Sequence, residues 1–319
     1  MSEFHVEVVE IGKMSKHENA DSLSVVHVRD YPVIVRTADF KEGDKAVYIP
    51  VDSVVPPSDR FAFLGEHRRI KARKLRGVFS MGLLVPAEWY MTVGENVAEL
   101  WDIKKYEPPE EFTMRGEDES PPGFIPTYTD IEGYRRWPDI LKEGEPVIIT
   151  EKIHGANGRF CWKDGRLWCG SHKNIKRRDP NNLWWKTAIQ YGLEEKLSRP
   201  DGIVFFGEVY GSVQSLRYGH EKGKISLAFF DAFSVSAGRY FDADKFREEC
   251  DRLGLPTVPL LACREWSKSC LDLAEGKSTM PGADHVREGI VIKPMVERFD
   301  DRVGRVILKH IGEGYMVTT

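Results

Sequence analysis

Apolar and polar positions alternate on a short period through roughly the first third of the chain. Ser24-Val25-Val26-His27-Val28, Val33-Ile34-Val35 and Ala46-Val47-Tyr48-Ile49 are β-branched runs of strand length. Asn19-Ala20-Asp21-Ser22 and Lys41-Glu42-Gly43-Asp44 separate such runs with turn-forming residues. Phe79-Ser80-Met81-Gly82-Leu83-Leu84-Val85-Pro86 reads as one late strand. Several short strands within about 100 residues predict a small all-β barrel over 1–105.

The pattern changes after residue 106. Pro108, Pro109, Pro121 and Pro122 bracket a run of Glu and Asp that cannot bury much surface, so 106–125 reads as a linker. A second domain is expected over 126–319. Thr129 or Asp130 could cap a short helix through Arg136, ended by Pro138. Pro146-Val147-Ile148-Ile149-Thr150 reads as a buried strand running into Lys152. Further strands are expected at 203–206, 227–230, 290–292 and 306–308, and helices at 183–191 and 243–253. The fold class is therefore α+β, and no internal repeat is apparent.

Composition bounds the picture. A chain of 319 residues with 41% hydrophobic content suits two packed domains. The net charge of -4 carries no global basic signature, so any nucleic-acid surface must be local. The 5 cysteines form no C-x-x-C pair, which argues against a zinc ribbon or a redox motif. No stretch is apolar for long enough to span a bilayer. A cytoplasmic monomer without membrane contact is the expectation.

Charge recurs at strand termini in the second domain. Lys152 follows an apolar strand and precedes His154-Gly155. Phe205-Phe206-Gly207-Glu208 and Phe229-Phe230-Asp231 set acids after apolar runs. Glu288-Gly289-Ile290-Val291-Ile292-Lys293 puts an acid and an amine at opposite ends of one strand, and Val306-Ile307-Leu308-Lys309 ends on lysine. Together these describe a polar cleft built on sheets.

The ordered set K-x-H-G, F-G-E-x-x-G, F-F-D, E-G-I-V-I-K and a final L-K resembles the motif series of the covalent nucleotidyltransferases, which include RNA ligases, DNA ligases and mRNA capping enzymes. Glu151-Lys152-Ile153-His154-Gly155-Ala156-Asn157 is most similar to the RNA ligases carrying E-K-x-H-G-x-N. The N-terminal segments His17-Glu18-Asn19-Ala20-Asp21-Ser22-Leu23, Gly43-Asp44 with Tyr48-Ile49-Pro50, and 75–83 resemble the OB module that precedes the catalytic domain in Deinococcus-type RNA ligases. The resemblance implies an OB-type barrel followed by a nucleotidyltransferase (ATP-grasp-like ligase) domain of antiparallel sheets and helices. A GTP-dependent capping-type guanylyltransferase fits this domain order less well. A non-catalytic OB-containing RNA-binding protein would have no chemical need to retain Lys152, Glu208, Glu288, Lys293 and Lys309 together.

Residue roles follow from the resemblance. Lys152 would attack the α-phosphorus of ATP and carry AMP. Its amine must first lose a proton whose pKa is about 10.4 in water. Lys293, Lys309 and a Mg²⁺ or Mn²⁺ ion would supply the positive charge that favours this and steadies the leaving pyrophosphate. Glu151 corresponds to a contact with adenine, Asn157 and Glu208 to contacts with ribose, Phe230 to the ring stacked on the base, and Glu288 to the acid that holds the metal. Lys293 and Lys309 correspond to phosphate contacts. His154 stands where many relatives have Asp, and imidazole is a poor partner for a hard cation, which points it toward phosphate or water instead. Ile307 stands where some relatives carry another lysine. His172 or Lys173 lies where relatives often place a phosphate-contacting arginine. The implied partner is RNA with 3′-hydroxyl and 5′-phosphate ends.

Two basic runs could meet such a strand. One holds Arg68, Arg69, Lys71, Arg73, Lys74 and Arg76, the other Lys176, Arg177 and Arg178. Trp184 and Trp185, near the second run, read as core or interface residues rather than stacking platforms.

Overall fold

The computed structural model describes residues 4–106, 118–198 and 202–316. The chain forms two compact units, one of Met1–Glu111, Tyr134–Pro138 and Met316–Thr319, the other of Phe112–Gly133 and Asp139–Tyr315.

In the first unit the short alternating runs become antiparallel strands. Lys45–Ile49 lies between Glu7–Glu10 and Leu83–Pro86, and Leu23–Val28 lies between Met14–Lys16 and Tyr31–Arg36. Period-two alternation buries Val26 and Val28 on one face and exposes His27 on the other. The core gathers Val8, Val47, Ile49, Phe61, Val85 and Trp101. The single late strand expected over 79–86 is instead two, Val78–Ser80 and Leu83–Pro86. Gly82 divides them with φ +95, at a site where a Cβ would lie 2.7 Å from the carbonyl oxygen of Ile49.

In the second unit a seven-stranded and a five-stranded sheet carry the site. The centre of the first runs Ala156–Lys163, Ile203–Gly211, Ile225–Ser234, all antiparallel. The second is ordered Glu132–Gly133, Leu308–Ile311, Gly289–Pro294, Pro146–Glu151, Leu260–Glu265. The helices Leu183–Gln190 and Ala243–Leu253 cover one face of the larger sheet, where Trp185, Ala188, Phe246 and Cys250 meet Phe160, Phe205 and Phe229.

Several expectations need correction. Of the proposed linker 106–125, residues 107–117 lie outside the described residues. Asp118–Glu119 is already a strand paired with Ile175–Lys176, and Ile125 is buried core. The short helix expected up to Arg136 does not form. Glu132–Gly133 pairs in parallel with Leu308–Lys309 and is followed by a 3₁₀ turn, Tyr134–Arg136. Gly133, a poor helix former, and the ladder bonds outweigh the capping signal. The strand expected at 306–308 begins only at Leu308, with Val306 and Ile307 buried ahead of it.

Candidate active site

Register brings the motif residues together. Ile148 opposes Lys293, Thr150 opposes Val291, and Val291 opposes Lys309, so these side chains share one face of the smaller sheet. On the larger sheet Asn157 opposes Glu208. A cavity of about 130 Å³ is lined by Lys152, Asn157, Glu208, Phe230, Val291 and Lys293, among others. Glu208 and Asp231 stand within their strands, not at the strand ends where the apolar runs suggested.

Lys152 lies just past the end of Pro146–Glu151, with its backbone N–H donating to the Gly289 carbonyl at 3.0 Å. Its Nζ donates to Glu288 Oε1 at 2.7 Å. Burial disfavours the ammonium, but the carboxylates of Glu288 and Glu208 outweigh it and hold the pKa above that of an ordinary lysine. The same amine, followed by His154, holds Glu288 below the usual carboxylate range against the opposing effect of its burial. Burial pushes Glu208 up to about 7. The pKa expected to fall is thus raised in the ligand-free protein.

Glu288 Oε2 is buried with no hydrogen-bond partner among the described residues, and His154 Nδ1 lies 3.6 Å from it. A hard oxygen donor left open beside a second carboxylate suits a divalent cation such as Mg²⁺ or Mn²⁺. His154 flanks that position and faces Ser215 Oγ at 3.3 Å and Tyr315 Oη at 3.5 Å. Asn157 Oδ1 is likewise buried and unpartnered among the described residues, an acceptor open to a ligand at the cavity wall.

Glu151 lines the cavity, but its carboxylate is held by the protein. Its carboxylate is buried and accepts from the backbone N–H of Thr279 at 2.8 Å and from Thr279 Oγ1 at 2.6 Å, with Ser278 also bonded to it. With Arg287 Nε a further 3.5 Å away, the acid is committed to the protein. Thr150 shares the face of Val291 and Lys293, and strand alternation sends the Glu151 side chain to the other face. Phe230 lines the cavity and meets the Tyr128 ring edge-on at 5.0 Å.

Lys293 lines the cavity but is held at 3.2 Å from Asp231 and 3.0 Å from Glu297. Arg305 bonds both of these acids, and Tyr128 Oη donates to Asp231 at 2.8 Å. Lys309 is half-buried beside Val291 and does not line the cavity. His172 also stands outside the cavity lining, 3.9 Å from Asp130, with its pKa lowered by burial.

The basic runs differ. Arg68, Lys71, Arg73, Lys74 and Arg76 are exposed, while Arg69 is paired with Asp52 at 2.7 Å and stacked over Tyr106. In the other run Arg177 is exposed, and Arg178 is paired twice with Glu194. Lys176, expected on the RNA surface, is buried and ion-paired with Asp118, so it holds two strands together and offers no charge to a phosphate. Trp185 is core and donates to the Lys176 carbonyl; Trp184 donates to that of Asn157 at 2.9 Å.

Sequence reading missed Tyr218, Arg287 and Arg305, all buried near the site, and Arg247, which lines the cavity from the helix Ala243–Leu253. None belongs to a motif, and only Asp231 within F-F-D signalled that a buried cation must stand opposite it.

The RNA ligase family profile matches residues 145–311, and that of an OB-fold domain matches residues 5–87. Solved structures of a Naegleria gruberi RNA ligase share the fold. A mutant with ATP and Mn has TM-score 0.82 at 24% identity, covering 97% of each chain. A second mutant with ATP and Mn has TM-score 0.83 at 23% identity over 98% of each chain. The same ligase with PPi has TM-score 0.82 at 24% identity over 97% of each chain. No curated protein sequence matches the chain.

Proposed function

The chain belongs to the RNA ligase family, and on that premise we propose that it is an ATP-dependent RNA ligase joining 3′-hydroxyl and 5′-phosphate ends through AMP carried on Lys152. The observation that carries this reading is the amine of Lys152 beside Glu288 and Glu208 in the wall of a cavity whose other walls are largely apolar. Phe230 and Val291 offer flat and aliphatic surfaces to a base, and Asn157 and Glu208 offer acceptors to ribose hydroxyls. The neutral Lys152 amine attacks the α-phosphorus, forms an N–P bond and releases pyrophosphate. AMP then passes to the 5′-phosphate, and the 3′-hydroxyl attacks that phosphorus and expels AMP.

The Naegleria ligase has been solved with ATP, AMP and Mn, which supports ATP and a divalent metal here. Glu288 would hold the ion through its open Oε2. When bound, the ion supplies positive charge against the acids that keep Lys152 protonated. The exposed Arg68, Lys71, Arg73, Lys74 and Arg76 suit an RNA backbone, with Arg177 on the other unit. A single chain holds every group named, in keeping with a monomer. Among the described residues no helix is long and apolar enough to cross a membrane. A cytoplasmic location is part of the same proposal.

The test is incubation with Mg²⁺ or Mn²⁺ and nucleotide labelled at the α-phosphate, followed by a denaturing gel. Label from ATP, absent in Lys152→Ala, is expected. Label from GTP alone would replace this reading with a capping-type reaction. No label from either nucleotide would leave a protein that binds RNA without this chemistry.

A further inference from the structure

The turn that presents Lys152 is gripped by a segment outside every motif. Residues 212–224 connect the strands Ile203–Gly211 and Ile225–Ser234 without regular structure of their own. The backbone N–H of His154 donates to Tyr218 Oη at 2.7 Å, and Gln214 Nε2 donates to the Gly155 carbonyl at 2.8 Å. Ser215 Oγ lies 3.3 Å from His154 Nε2. Ile153, between the nucleophile and His154, packs in one buried cluster with Tyr218, Tyr210 and Val258.

Tyr218 is fixed far more firmly than a loop tyrosine needs to be. It is 2% exposed, and its ring meets His285 at 4.6 Å and Tyr210 at 5.3 Å, both edge-on. Its backbone has φ +49, a left-handed conformation that is costly for a bulky side chain. Gly219 follows at φ +74, where a Cβ would stand 2.4 Å from the Gly282 carbonyl oxygen. Close backbone packing therefore enforces the strained conformation, and that conformation aims the hydroxyl at the amide two residues past Lys152. Strain held in place by its surroundings tends to mark a position whose geometry matters.

We infer that Tyr218, assisted by Gln214, is a positioning residue for lysine adenylylation, fixing the Lys152–Gly155 turn so that the amine meets the α-phosphorus in line. The inference rests on the ligase reading above. Removing the hydroxyl leaves the half-buried His154 N–H without its acceptor and frees the turn to shift. In-line attack tolerates such shifts poorly. A strand end that already carries AMP bypasses the Lys152 amine, so its joining does not depend on how that amine is aimed.

Tyr218→Phe and, separately, Gln214→Ala are compared with the parent protein in two reactions. One is single-turnover enzyme–AMP formation across ATP concentrations. The other is sealing of chemically pre-adenylylated RNA. Tyr218→Phe is expected to slow adenylylation at saturating ATP by about tenfold, with half-saturation by ATP unchanged. Its sealing of pre-adenylylated RNA should stay within about twofold of the parent. Gln214→Ala, at a more exposed position, should show the same split more weakly. An unchanged adenylylation rate in Tyr218→Phe, or an equal fall in both reactions, overturns the inference. If Tyr218→Phe fails to fold, an unchanged adenylylation rate in Gln214→Ala overturns it. A parent protein that takes no label from ATP overturns the ligase reading itself, a different outcome from these.

Discussion

Lys152 and Lys293 both line the cavity, and both are paired with acids, yet the two arrangements do different things. Lys293 sits between Asp231 and Glu297, and Arg305 bonds the same two acids, so two cations balance two anions. Their side chains are almost wholly shielded, at 8% exposure or less for Lys293, Asp231 and Arg305. Lys152 has Glu288 at 2.7 Å and the field of Glu208, with its own side chain 25% exposed. Two acids there face one amine. Balance makes the first group a structural knot under the cavity. Imbalance, with an open oxygen on Glu288, leaves the second group short of a positive charge. A buried array that is complete without ligand serves the fold, and one that is incomplete has room for chemistry.

Substitutions at each lysine cluster should separate these roles. Lys152→Ala should lower enzyme–AMP formation by at least about a thousandfold, since no other group can carry the adduct, while the melting temperature changes little. Label retained in that variant on a denaturing gel would remove Lys152 from its role. Asp231→Asn should act on the other property. It leaves Lys293 and Arg305 to share Glu297 alone in a buried setting, and breaking such a group costs about 3–5 kcal/mol. Denaturant unfolding checks this, and a variant as stable as the parent would show that the cluster is not a knot.

The imbalance at Lys152 also has a pH signature. Glu208 titrates at about 7 in the folded protein, raised chiefly by burial, against 4.5 for the ordinary group. The folded state then binds more protons than the unfolded state between those values. Stability contributed by this group is complete below pH 4.5 and falls as pH rises through 7. Glu208→Gln should flatten that decline in the ligand-free protein, by about 1–3 kcal/mol across the window. An unchanged pH profile of the denaturation midpoint would mean that Glu208 is not held in this way.

How far the sequence reached follows the same division. Lys152, Glu208 and Lys293 were legible because motif order and strand register together bring them to one cavity, with Glu288 bonded to the Lys152 amine. The strands of the barrel were legible from period-two alternation, except where Gly82 breaks a continuous apolar run. The partners of the Glu151 carboxylate were not legible, because Ser278 and Thr279 lie more than a hundred residues downstream and no motif points to them. Tyr218 was invisible for a related reason: a lone tyrosine in an irregular segment carries no periodic signal, and its value lies in a backbone conformation and a long-range bond.

The smallest effect separates the two basic runs, which look alike as sequence. Lys74 is exposed on the strand Arg73–Leu75, whereas Lys176 is buried and paired with Asp118. A lysine that meets an RNA phosphate releases a counterion, so Lys74→Ala should lower the slope of log affinity against log salt by about 0.7–0.9. Lys176→Met keeps most of the apolar stem of the side chain and removes a charge that already has a partner. Its RNA affinity should keep the parent slope while its stability falls, because Asp118 and the strand pairing it supports lose their cation. Titration of labelled single-stranded RNA at several salt concentrations reads both variants. A reduced slope in Lys176→Met would show that the ion pair with Asp118 opens to let RNA in, and would move the binding surface from the first unit toward the catalytic sheet.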